Sequence, residues 1–180
     1  MSENRTVHLS STWARVEGPG GACVYVCAGT EPMFARCPIE GMEEATSFLE
    51  QYKINCRIDL RDKSCEADKM EEPLPFTSPM TYLISLPPLD RSEGEDNHIK
   101  AYLRNRYAIT HAADLAKEYV YRGQVPLIHC RASADRTGTV IAKILLPALG
   151  VDVVAQDFED ASVHAGHPRA KEEILPLLTF

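Results

Sequence analysis

A chain of 180 residues is long enough to close one hydrophobic core and too short to expect two. It is 44% hydrophobic and 25% charged, and its net charge of −7 argues against nucleic acid or an anionic membrane as the main partner, since both need a basic footprint. No stretch approaches the roughly 18 apolar residues of a spanning helix, and the polar start M-S-E-N-R-T-V-H-L-S lacks a signal core, so the expected location is cytoplasmic.

Ala22–Ala28 (A-C-V-Y-V-C-A), bracketed by glycines, predicts a strand. Met42, Ala45, Phe48, Leu49 and Tyr52 share one face of a predicted helix. Cys56–Leu60 is a short strand, followed by a charged loop and a Pro-rich turn. Thr81–Leu86 is another strand, ended by Pro87-Pro88. After the polar loop D-R-S-E-G-E-D-N, Asp96 or Asn97 is expected to cap a long helix that stops near Gly123. Val125–His129 is a compact apolar strand. Thr137–Leu149 is a helix with one buried face and Pro147 in its last turn, and Val153–Ala161 and Ala170–Leu178 read as two closing helices. Strands alternating with helices predict a single α/β domain whose central, mostly parallel sheet is flanked by helices.

Six cysteines at irregular spacing, without a secretion signal, read as free thiols. Cys23-x3-Cys27 has no second pair at metal-ligand spacing, and neither a metal nor a cofactor is expected. Cys56 or Cys65 could form a protective disulfide with an oxidised Cys130, although buried thiols are the first reading of both. Only Cys130 has chemistry around it.

Residues 129–138 read H-C-R-A-S-A-D-R-T-G, a loop between the apolar strand and the helix that follows. Ligands of open α/β sheets bind at that carboxyl end, and a helix N-terminus offers unpaired N–H groups to an anion. Arg131, Ala132, Ser133, Ala134 and Asp135 would form the wall of the site, the small residues letting the backbone curl into a nest. Arg136 can return across the loop and hold two phosphate oxygens with its planar fork. The same field favours the thiolate of Cys130, a nucleophile facing the phosphorus, and Thr137 can donate a hydrogen bond to it. His129 is expected to brace the backbone rather than act as a base.

With those residues in view, the loop resembles the H-C-x-A-G-x-x-R-[ST]-G signature of the cysteine-dependent protein tyrosine phosphatase superfamily. Its D-R-T-G ending is similar to bacterial and fungal tyrosine and dual-specificity members and to related phosphoinositide phosphatases. Ile58-Asp59-Leu60-Arg61 with Glu66 resembles an "I-D-L-R…E" strand of that subgroup, and Leu86-Pro87-Pro88-Leu89-Asp90 its acid-bearing segment. The likeness spans about residues 40–165 and is most specific in the loop. It departs at Ser133, where the family usually has Gly, and at Ala134, where phosphoinositide-specific members often have Lys.

The resemblance implies a phosphatase acting on phosphotyrosine, and on phosphoserine or phosphothreonine by the same chemistry, through a cysteinyl-phosphate. Its substrate would be a phosphorylated protein or a small phosphomonoester. A phosphoinositide phosphatase on the same scaffold and a phospho-ligand-binding pseudophosphatase are the alternatives. Asp90 is the first candidate for the general acid, ahead of Asp96 and Asp135. Arg61 is expected to pair with Glu66 or to contact phosphate. Oligomeric state is not written in the sequence.

Overall fold

A four-residue strand, Pro126–His129, is buried along its whole length and lies inside the seven-stranded sheet that the described residues form. The computed structural model describes residues 3–62, 64, 65, 81–86 and 95–179, residues 95–99 by backbone only. In chain order the strands are β1 (Arg5–His8), β2 (Trp13–Glu17), β3 (Cys23–Cys27), β4 (Phe34–Arg36), β5 (Cys56–Asp59), β6 (Thr81–Leu83) and β7 (Pro126–His129). The helices are α1 (Met42–Gln51), α2 (Glu95–Tyr121), α3 (Asp135–Leu149), α4 (Val151–His164) and α5 (Leu175–Leu178).

The sheet order is β1-β2-β3-β4-β7-β5-β6. β4, β7, β5 and β6 run parallel, while β1, β2 and β3 extend the sheet as an antiparallel meander. The sheet is therefore mixed, its parallel half being the part that carries the loop at residues 129–138.

Alternation along β7 divides the core. Leu127 packs with Val24, Ala35, Met42, Phe48 and Leu49 on the face that α1 covers. Ile128 points the other way, towards Ile109, Val140, Ile141, Leu145 and Phe158 of the remaining helices. Each such side chain, fully buried, contributes about 1.5–3 kcal/mol relative to an exposed one. α3 and α4 meet closely at Gly138, where an added Cβ would sit 2.7 Å from the Phe158 ring.

The N-terminal strands are held to α4 by buried polar groups. Arg15 of β2 donates to the Asp157 carboxylate, and the Tyr25 hydroxyl donates to its other oxygen at 2.9 Å. Arg15 also pairs with Glu17 at 3.2 Å. His164, at the end of α4, reaches back to the carbonyls of Gly18 and Ala22 at 3.0 and 3.1 Å.

Two elements differ from the sequence-based reading. The described part of α2 runs from Glu95, so Asp96 and Asn97 are helical residues rather than its cap. The expected helix over 170–178 is a 3₁₀ turn (Lys171–Glu173) and a single α-helical turn, with Pro176 near its start.

Candidate active site

Register fixes what stands beside the loop. Arg36 of β4 is paired with Ile128, and Asp59 of β5 with His129, so one residue from each neighbouring strand flanks the carboxyl end of β7. The chain then leaves the sheet at Cys130 and enters α3 at Asp135.

Cys130 is 2% exposed, so its thiol lies inside the loop rather than on it. Thr137, on the first turn of α3, donates its hydroxyl proton to Cys130 Sγ at 3.1 Å. The N-cap of α3 is Ala134, which makes no side-chain capping bond. The N-terminus of this 15-residue helix faces the loop, and its partial positive charge suits an anion.

Around the loop, the Arg131 carbonyl accepts from the Ile39 amide at 2.9 Å, while the Arg131 side chain is exposed. Ala132 is half-buried; Ser133 and Ala134 are buried. Ser133 has φ +52°, in the left-handed region where glycine is at home. The Arg36 guanidinium donates to both the hydroxyl and the carbonyl of Ser133. Sequence patterning missed Arg36: a lone arginine in a three-residue strand carries no signal of a partner 97 residues away.

Arg136 is buried at the mouth and donates from Nη1 to the Leu86 carbonyl at 3.0 Å. Leu86 is in turn anchored by its amide to the Leu60 carbonyl at 3.2 Å. Asp135 accepts from Arg169 Nε at 2.7 Å, which ties the loop to the segment after α4. Asp90 lies outside the described residues, as does Glu66, and Asp96 is placed by its backbone alone.

Beneath the loop, Arg61 forks onto Asp59, donating from Nε at 2.9 Å and from Nη2 at 2.7 Å. Burial by itself would raise the Asp59 pKa, but the hydrogen bonds from Arg61 and nearby positive charge outweigh it and hold the group below the usual carboxylate range. His129 is fully buried, and burial lowers its pKa to about 4, with Asp59 only partly opposing. The neutral ring lies with Nδ1 3.3 Å from the Cys130 carbonyl oxygen, placed to donate to it. A second carboxylate, Asp62, accepts from the Ser64 hydroxyl at 2.6 Å; that bond, with a smaller contribution from the Arg136 charge, lowers its pKa. Asp62 was not singled out by its sequence context.

The arrangement brings together a thiol, a hydroxyl donor to it, a guanidinium and a helix N-terminus. Those are the groups needed to bind a tetrahedral oxyanion and attack its centre. All six cysteines are free thiols. Among the described residues no helix is long and apolar enough to cross a membrane.

Residues 40–174 match the family model described as the tyrosine phosphatase family. Solved structures with similarity include Tk-PTP in its active form, at 15% identity over 81% of this chain and 88% of that one, with a TM-score of 0.44. P. aeruginosa TpbA is 14% identical over 96% and 100% of the two chains, TM-score 0.45. The Siw14 catalytic core is 14% identical over 82% and 86%, TM-score 0.42. No curated protein matches the chain in sequence.

Proposed function

The chain belongs to the tyrosine phosphatase family, and we propose that it hydrolyses phosphate monoesters, phosphotyrosine first among them, through a cysteinyl-phosphate at Cys130. The observation that carries the reading is the 3.1 Å bond from Thr137 to the Cys130 sulfur, in a loop that runs into the N-terminus of α3.

In the proposed reaction the Cys130 thiolate attacks phosphorus, an S–P bond forms and the P–O bond to the leaving group breaks. The loop amides and the Arg136 fork hold the three non-bridging oxygens as their charge redistributes. The departing oxygen takes a proton from a carboxylic acid, for which Asp90 is proposed. Water then attacks the phosphocysteine, releasing phosphate and restoring the thiolate. Asp135 is engaged by Arg169, which favours a role in holding the loop over one in proton transfer. No metal or cofactor takes part in this scheme.

The sparse positive charge of the loop favours a singly phosphorylated substrate. Arg131 is the one exposed cation between Cys130 and Arg136, and Ala134 supplies none. Ser133 takes the left-handed turn for which glycine was expected, and that supports an active loop over a pseudophosphatase. The six free thiols suit the reducing cytoplasm, which is the proposed location.

Turnover of para-nitrophenyl phosphate, with and without a chelator, is the direct test. Chelator-insensitive hydrolysis that disappears in Cys130→Ser is expected. A wild-type protein that binds phosphate but never turns over would favour the binding-module reading. Parallel assays on phosphotyrosine and phosphoserine peptides and on a monophosphorylated phosphoinositide rank the substrate classes.

A further inference from the structure

We propose that Arg36 is a positioning residue for the phosphate-binding loop, a guanidinium on a neighbouring strand that holds Ser133 in the turn the loop requires. The inference rests on the reading that residues 129–138 bind the substrate phosphate. Arg36 precedes residues 40–174, the segment that carries the family match.

Arg36 is 1% exposed, and a cation is rarely buried to that degree without a task. Among the described residues, the hydrogen bonds it donates go to one residue. Nε reaches the Ser133 hydroxyl at 3.3 Å, and Nη2 donates to the Ser133 carbonyl. Nη1 has no hydrogen-bond partner there, although Asp157 and Tyr25 are close enough to feel the charge. Had Arg36 served only to neutralise Asp157, its donors would be aimed at that carboxylate. That place is taken by Arg15 and the Tyr25 hydroxyl.

Ser133 is where such help is needed. At φ +52° its Cβ crowds its own backbone, so a freed loop would relax towards φ < 0 and rotate the following peptide. That peptide leads into Ala134, the N-cap of α3, so its rotation would turn loop amides away from a bound oxyanion. One guanidinium bond fixes the Ser133 carbonyl and the other rewards the side chain that lacks glycine's freedom. Arg36 passes beneath the first turn of α3, where Gly138 leaves room: a Cβ there would lie 3.7 Å from Nη2.

The test measures inhibition constants of inorganic phosphate and orthovanadate, with kcat and KM on para-nitrophenyl phosphate. Arg36→Lys keeps the charge but cannot satisfy both oxygens, and both inhibition constants are expected to rise about tenfold, vanadate's the more because it mimics the transition state. A variant that merely lost folded protein would show a lower apparent kcat with KM and both inhibition constants unmoved. In a Ser133→Gly background the Arg36→Lys penalty should shrink about threefold or more, since the strained residue and the hydroxyl contact are gone. Equal penalties in both backgrounds, or wild-type inhibition constants in Arg36→Lys, overturn the proposal. If Arg36→Lys does not fold, Ser133→Ala against Ser133→Gly decides. Alanine keeps the strain without the bond and should bind phosphate at least about threefold more weakly than glycine; equal binding overturns the proposal. Wild type that neither binds phosphate nor turns over would instead sink the proposed function, so the two failures are distinguishable.

Discussion

Replacing His129 by Asn should flatten the acid side of the stability profile. The imidazole is fully buried, and its pKa is lowered by burial to about 4, against ~6.5 for an unfolded histidine. Because the folded value is the lower one, the unfolded chain binds the proton first as pH falls. Native stability is therefore undiminished above about pH 6.5, declines between about pH 6.5 and 4, and loses nothing further from this group below that. At about 1.4 kcal/mol for each tenfold, the gap is worth about 3 kcal/mol in all, of which about 2 kcal/mol has gone by pH 5. Asparagine keeps an N–H for the Cys130 carbonyl and does not titrate. Urea unfolding of both proteins at pH 8 and pH 5 gives the comparison, and carboxylates common to both cancel in the difference. The wild type should lose about 2 kcal/mol more than the variant over that interval. Parallel stability curves would refute the argument, because a histidine that can be protonated in place would contribute no such slope.

Cys130→Ser should abolish turnover on every phosphomonoester while keeping phosphate binding, read by calorimetry, since the amides and Arg136 remain. Arg136→Lys should be nearly inactive, because a point charge does not replace a planar fork, and steady-state kinetics near the wild-type rate would remove Arg136 from the phosphate site. Asp90→Asn should slow phosphotyrosine hydrolysis by roughly 10²–10⁴-fold and para-nitrophenyl phosphate far less, as the latter's leaving group needs little protonation. The same dependence appearing in Asp135→Asn instead would move the acid into the loop. Gly138→Ala should cost about 1–3 kcal/mol in thermal or urea unfolding, through collision of the new Cβ with Phe158, and Phe158→Leu should recover part of the loss.

The loop was legible because its parts are local. The apolar run ending at His129, the small residues after Cys130 and the amphipathic repeat from Thr137 are all read within 25 residues or so, and each agrees with the next. β1, β2 and β4 were not legible, for the opposite reason. Arg15 and Glu17 interrupt the apolar alternation of β2 with charges that become intelligible only beside Asp157, 142 residues from Arg15. Arg36 does the same to β4. Arg61 forks onto Asp59, two residues back along the chain, where the strand end presents both oxygens, while Glu66, with which it was expected to pair, lies outside the described residues. Charge patterns stay silent about partners that the fold brings in from far along the chain, as Asp157 and Ser133 are to Arg15 and Arg36.

The buried anchoring of Asp157 has a consequence for how the chain can be divided. A fragment cut to the family-matching residues 40–174 would take away Arg15 and Tyr25 together and strand a carboxylate in an apolar interior, a loss of about 3–5 kcal/mol for that group alone. It would also leave β7 as an edge, paired with β5 alone and with its other side open to aggregation. The segment by which the family is recognised is thus smaller than the segment that folds. Any foreign N-terminus grafted onto it would have to return a guanidinium to Asp157, another to Ser133 and a strand to β7 before the thiol of Cys130 could be expected to sit where it does.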